Sequence, residues 1–314
     1  MRVAVIDLGT FSAILLIAES KHGRLRPLHE ERHTVDLEFD AGGSITSSGI
    51  QRAVRVLRRI NRSMDQFQID RGMIVATAAI RHARNRPSVV KQLRSECRFP
   101  LQILSAKREA GFSAAGALIG LPRVDRSALI IDIGGGSSEF IKLKTGIFRG
   151  LPIGAAWATK GWSEGAPRER ARRDLHYLAA ADQAVLRLDA AALGKYSTVV
   201  GIGGTITTLA AIKHELQSFA VSKVHGTILS RTWIECFASE LAGMPQKAIR
   251  GLVPFDPTRA RVLLAGTYLW GGVLNRLHAD RVTVSARGLR WGVAAHLTGL
   301  PQGTKQAGND QKTP

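Results

Sequence analysis

Two acidic residues, each ending an apolar run and each followed by a glycine turn, are the first places in this 314-residue sequence where chemistry could happen. They are Asp7 in AVIDLGTFS and Asp132 in LIIDIGGGSSEF. A turn stripped of Cβ atoms lets backbone N–H groups converge on a ligand, and a concave set of such donors suits phosphate oxygens. Gly9, Thr10 and Ser12 supply the first turn, and Gly134, Gly135, Gly136, Ser137 and Ser138 the second. A third, GIGGT, contributes Gly203, Gly204 and Thr205. A carboxylate at the end of an apolar strand is costly unless it has a partner. Magnesium would serve, because it takes carboxylate and water oxygens and commonly bridges to substrate phosphate. Asp7, Asp132 and Glu139 therefore form a candidate metal or water-holding set, the alternative for each Asp being a hydrogen bond to its own turn amides. The standard nucleotide fingerprints, G-x-x-x-x-G-K-[ST] and a complete G-x-G-x-x-G, are absent.

The elements that must hold these turns occur twice. Residues 4–17 resemble residues 129–141 at a constant offset of 125, with Asp7 over Asp132, Gly9 over Gly134 and Ser12 over Ser137. Each copy is a β-branched run, a tight turn and a second apolar run, which predicts a β-hairpin. Helical stretches near 48–65 and 87–96 alternate with the apolar runs GMIVATAAI (72–80) and PLQIL (100–104), which argues for mixed α/β layers. The second half repeats the scheme, with helices near 167–189, 231–243 and 257–278 and a strand-like STVVGIGG at 197–204. These patterns predict two similar α/β domains, 1–124 and 125–300, joined through LIGLPRVDRS, with a polar, disordered tail at 301–314.

The net charge of +19 favours polyanionic partners. It is spread evenly: 20 Lys and Arg against 11 Asp and Glu before residue 125, and 24 against 14 after it. Arg52, Arg55, Arg59 and Arg62 share one face of a helix whose other face carries Ile50, Val54, Leu57 and Ile60, a stripe that is either solvated or a polyanion contact. No helix-turn-helix, zinc-finger or RNA-recognition signature accompanies the charge, which argues against sequence-specific nucleic-acid binding. With only Cys97 and Cys236, and no signal-like start or long apolar run, the sequence reads as a cytoplasmic, non-membrane protein without a disulfide framework or zinc site.

In order along the chain, VIDLGTFS, VATAAIRHARN, LSAKREAGFSAAG, IDIGGGSSEF, LPIGA, GIGGTITTLA and VSARGLRWGV resemble the segments of the exopolyphosphatase and guanosine pentaphosphate phosphatase family, within the actin-like ATPase superfamily. The resemblance covers nearly the whole chain and is to the short, two-domain members. It implies two actin-like (ribonuclease H-like) α/β domains with a central interdomain cleft, and magnesium-assisted release of terminal phosphate from inorganic polyphosphate or guanosine pentaphosphate. It also implies a homodimer. Carried over by motif, Glu109 would orient or deprotonate the attacking water, Asp132 and Glu139 would serve metal and water, the glycine amides would hold phosphate, and Arg81 would face its charge. The bland alternatives are a solvent-facing Glu109 and a surface Arg81.

Three departures bear on this expectation. Thr10 and Phe11 replace the family's Ser-Asn pair in the first turn, Ala106, Lys107 and Arg108 stand where an acidic cluster is usual before Glu109, and Trp291 takes a normally acidic position. Two readings other than an active hydrolase stay open: a catalytically weak sensor of polyphosphate, alarmone or nucleic acid, and an ATP-dependent kinase.

Overall fold

The computed structural model describes residues 1–121, 124–155 and 180–300. The chain forms two compact units, Met1–Ile119 together with the segment beginning at Leu289, and Gly120–Gly288. The division at Ile119 falls inside the expected junction, but the second expected domain ran on to residue 300. The structure corrects that boundary: helix Leu289–Leu297 packs on helix Ala106–Leu118 and on the first strand, within the first unit. The physical reason is a close helix approach that local pattern does not reveal. Gly292 lies against the Phe112 backbone, where any Cβ would collide with the Phe112 carbonyl. The expected helix at 167–189 falls largely, and the expected tail at 301–314 wholly, outside the described residues.

In the first unit β1 (Arg2–Leu8), β2 (Ser12–Lys21), β3 (Arg24–Thr34), β4 (Arg71–Ala76) and β5 (Leu101–Ile103) form one sheet in the order β3-β2-β1-β4-β5. The first three run antiparallel, and β4 and β5 continue parallel to β1. A strand alternates faces, so Ala4, Ile6 and Leu8 enter one core while Val3 and Val5 enter another. The first core is closed by helices Ser47–Met64 and Arg86–Arg94, the second by Ala106–Leu118 and Leu289–Leu297. Asp7 shares the Val3 and Val5 side, and so is aimed at the latter two helices. The run GMIVATAAI is strand only as far as Ala76, because its neighbour β1 ends opposite at Leu8, and helix Ala78–His82 follows.

The second unit repeats this path. β6 (Leu129–Ile133), β7 (Ser138–Lys142) and β8 (Ile147–Leu151) run antiparallel, β9 (Val199–Ile202) and β11 (Arg281–Val284) lie parallel beyond β6, and β10 (Ile228–Ser230) adds an antiparallel edge. Both expected hairpins form, with the same closing bond: Gly9 N donates to Ser12 O at 2.9 Å and Gly134 N to Ser137 O at 3.0 Å. Registers match as well, since Asp7 pairs with Ile14 and Asp132 with Glu139. Helices Gly204–Lys213, Arg231–Gly243 and Ala260–Arg276 cover a core built around Trp270. Both cysteines are free, Cys97 with its thiol donating to Leu93 O and Cys236 exposed. Among the described residues no helix is long and apolar enough to cross a membrane.

Candidate active site

In open α/β sheets, ligand-binding groups gather beyond the carboxyl ends of the strands. In the first unit Asp7 ends β1, Arg81 follows β4, and Glu109 follows β5 in the first turn of its helix, which Ser105 caps by accepting from Arg108 N. Arg81 Nη1 donates to Glu109 Oε2 at 2.8 Å and to Leu104 O at 2.7 Å, so the strand end fixes the guanidinium and the guanidinium fixes the carboxylate. The two residues expected to act on water and on phosphate thus hold one another. Asp7 Oδ2 lies 3.9 Å from Arg290 Nη1, while Arg290 Nη2 donates to Glu30 Oε1 at 2.5 Å. Burial pushes the Asp7 carboxyl up to about 6; Arg290 pulls it down and Glu109 adds to the rise. Asp7 thus feels two ion pairs, Glu109 with Arg81 and Arg290 with Glu30.

In the second unit Asp132 and Glu139 are direct cross-strand partners, and Ser137 Oγ donates to Glu139 Oε1 at 2.5 Å. Gly203 has φ of 101°, and a Cβ there would stand 2.7 Å from Ile133 O and 2.9 Å from Asp132 Oδ1. Only glycine allows β9 to turn into helix Gly204–Lys213 against Asp132. That helix start has no side-chain cap, which leaves its first amides for an anion. A cavity of about 120 Å³ opens there, lined by Gly134, Gly135, Gly204, Thr205, Thr208 and Arg259 among others. Arg259 is pinned above it by Asp256 at 3.0 Å, Gly204 O at 2.7 Å and Thr208 Oγ1 at 3.1 Å.

The expected phosphate residues are not equivalent. Gly134, Gly135, Gly204 and Thr205 line the cavity. Gly136 is exposed in the same turn. Ser138 is buried with its hydroxyl given to Ile153 O at 2.7 Å, so that side chain serves the fold. In the first turn, Thr10 O and Ser12 O accept from Leu37 N and Gly9 N, while Phe11 is 65% exposed. Among the described residues no group of three or more His, Cys, Asp and Glu is assembled that could hold a metal. Asp132 and Glu139 alone are hard oxygen donors on neighbouring strands, and magnesium commonly uses one or two carboxylates, completing its shell with water and phosphate. The donor chemistry fits.

Trp291, at a position the family usually fills with an acid, is 1% exposed and packs in the core with Val5 and Phe112. Arg108 lies with its guanidinium 5.6 Å over the Phe112 ring. Sequence reasoning missed Arg290, Glu30 and Arg259. Arg290 stood in the quoted VSARGLRWGV, and an arginine beside a buried tryptophan near the chain end was the one signal available. Nothing local marked Glu30 or Arg259.

Two units that each run three antiparallel strands into parallel crossovers, with glycine turns at the carboxyl ends, define an α/β protein of the actin-like class. A model of the Ppx/GppA phosphatase family matches residues 16–299, and the chain belongs to that family. It is similar to the Aquifex aeolicus family member, with a TM-score of 0.81 and 27% identity over 95% of this chain and 97% of that one. An exopolyphosphatase from Cytophaga hutchinsonii shares the fold, with a TM-score of 0.80 at 24% identity, 97% of this chain and 100% of that one. Exopolyphosphatase 2 of Mycobacterium tuberculosis H37Rv is 26% identical over 315 residues, covering 95% of this chain and 99% of that protein.

Proposed function

We propose that this chain hydrolyses the terminal phosphate of inorganic polyphosphate. The observation that carries the reading is the Arg81–Glu109 pair at 2.8 Å, anchored at the ends of β4 and β5 beside Asp7, in a chain whose relatives include exopolyphosphatases. Glu109 accepts the proton of the attacking water or orients it, and a positioned carboxylate contributes about 10² to 10⁴ in rate. Arg81, held by Leu104 O, keeps Glu109 in place and offers charge to the equatorial oxygens, where phosphoryl transfer needs it. The amides of the glycine turns and of the Gly204 helix start donate to phosphate oxygens. Asp132 and Glu139 would hold magnesium, which when bound neutralises charge on the phosphate oxygens. Guanosine pentaphosphate is the further substrate of this reading.

A second reading, ligand binding without turnover, is favoured by Phe11, which presents an exposed ring in the first turn where a polar group would assist phosphate. The test is phosphate release by purified protein given magnesium and polyphosphate, then guanosine pentaphosphate. The reading expects release that Glu109→Gln reduces at least 100-fold, at the scale of general-base catalysis, with binding intact. Release unaffected by Glu109→Gln removes Glu109 from its role. Tight binding with no release by the unaltered protein favours the second reading.

A further inference from the structure

We propose that the outer face of helix Ser47–Met64 is a docking track for the distal part of a long polyphosphate chain. The helix buries Ile50, Ala53, Leu57, Ile60 and Met64. At 3.6 residues per turn, Arg55, Arg59 and Arg62 stand diametrically opposite that side, and all three are exposed. Their flanking arginines are engaged: Arg52 donates to the Val35 and Asp36 carbonyls and approaches Glu38, and Arg58 pairs with Glu96 at 2.6 Å. Among the described residues no carboxylate lies within ion-pair distance of Arg55, Arg59 or Arg62.

A helix face that needs only solvation usually mixes signs, because like charges three and four positions apart repel and weaken the helix. This helix has no acid from Ser47 to Met64, yet it stacks Arg55 against Arg58 and Arg59, and Arg62 against both. The repulsion is relieved by an external anion with repeated charges. Arginine suits it, since the planar fork pairs with two phosphate oxygens at once. The neighbouring helix Arg86–Arg94 extends the field with exposed Arg86, Lys91 and Arg94.

The track is tied to the proposed reactive pair. Asn85 exchanges two hydrogen bonds with the backbone of Ile45, at 3.0 and 2.8 Å, just before the arginine helix begins. Arg86 Nη1 donates to Arg81 O at 3.4 Å. The helix entry and the Arg81 segment are thus one braced piece of the first unit. From Arg55 to Arg62 the ridge runs about 10 Å along the axis, at about 1.5 Å per residue, a length that favours an extended chain over a compact phosphate.

The choice of occupant rests on the phosphohydrolase reading, and the experiment separates the two. Release from long-chain polyphosphate and from tripolyphosphate is measured over a salt series for the unaltered protein and for a triple Arg55→Glu, Arg59→Glu, Arg62→Glu variant, with a triple Gln variant as the milder change. The proposal expects KM for the long chain to rise tenfold or more with kcat unchanged, and KM for tripolyphosphate to stay within about twofold. The slope of log KM against log salt should fall by about 2, at about 0.7 for each phosphate that an arginine no longer neutralises. Equal effects on both substrates, or none on either, overturn it. If the unaltered protein releases no phosphate, binding of the long chain is measured directly. Arginine-dependent binding then sustains the track while the hydrolase reading falls, and tighter arginine-dependent binding of single-stranded nucleic acid than of polyphosphate overturns the track.

Discussion

Asp7→Asn should make the protein more stable and less active, and the gain should depend on pH. The Asp7 carboxyl, ordinarily near 3.8, is raised to about 6 mainly by burial, net of the attraction of Arg290. Holding it charged therefore costs the fold about 3 kcal/mol, at about 1.4 kcal/mol per tenfold change in proton affinity. The side chain keeps 20% of its exposure, and solvent screening of that part lowers the expected figure to about 2 kcal/mol. The sign follows from proton linkage. Below about 3.8 the group is protonated both folded and unfolded and costs nothing; above about 6 it is charged in both, and the full cost applies. Asn keeps the shape without the charge, and Arg290 retains Glu30. Urea unfolding followed by circular dichroism should show the variant more stable by about 2 kcal/mol near pH 8, with the difference shrinking through pH 6 and vanishing near pH 4. Phosphate release should fall in the same variant, as expected where strain is kept for function. A variant less stable than the parent near pH 8, or a gain that does not shrink with acid, would refute the account.

Gly203→Ala places a Cβ against Ile133 O and Asp132 at a left-handed backbone angle, and should cost about 1–3 kcal/mol and weaken phosphate binding by isothermal calorimetry. Trp291→Ala empties a fully buried site in the first unit and should lower stability by about 3–5 kcal/mol, read by urea titration; a change below about 1 kcal/mol would refute a packing role for Trp291. Burial pushes the Cys97 thiol up to about 11, so near pH 8 iodoacetamide should label exposed Cys236 and leave Cys97 unmodified, as mass spectrometry of the native protein would report.

What the sequence determined by itself is everything that depends on near neighbours. The missing Cβ atoms of the glycine turns, the β-branched and apolar runs that flank them and the offset of 125 foretold both hairpins, because strand propensity and turn sterics act over a few residues. The 3.6-residue period likewise placed Arg55, Arg59 and Arg62 on one helix face. Glu109 and Arg81 were legible as candidates, but their pairing was not, since it is made by β4 and β5 lying side by side. The return of helix Leu289–Leu297 to the first unit, the placement of Arg290 beside Asp7 and the burial of Trp291 belong to tertiary packing alone. A charge at one end of the chain finds its partner near the other only through the helices and sheet that carry both, and no local pattern encodes that meeting.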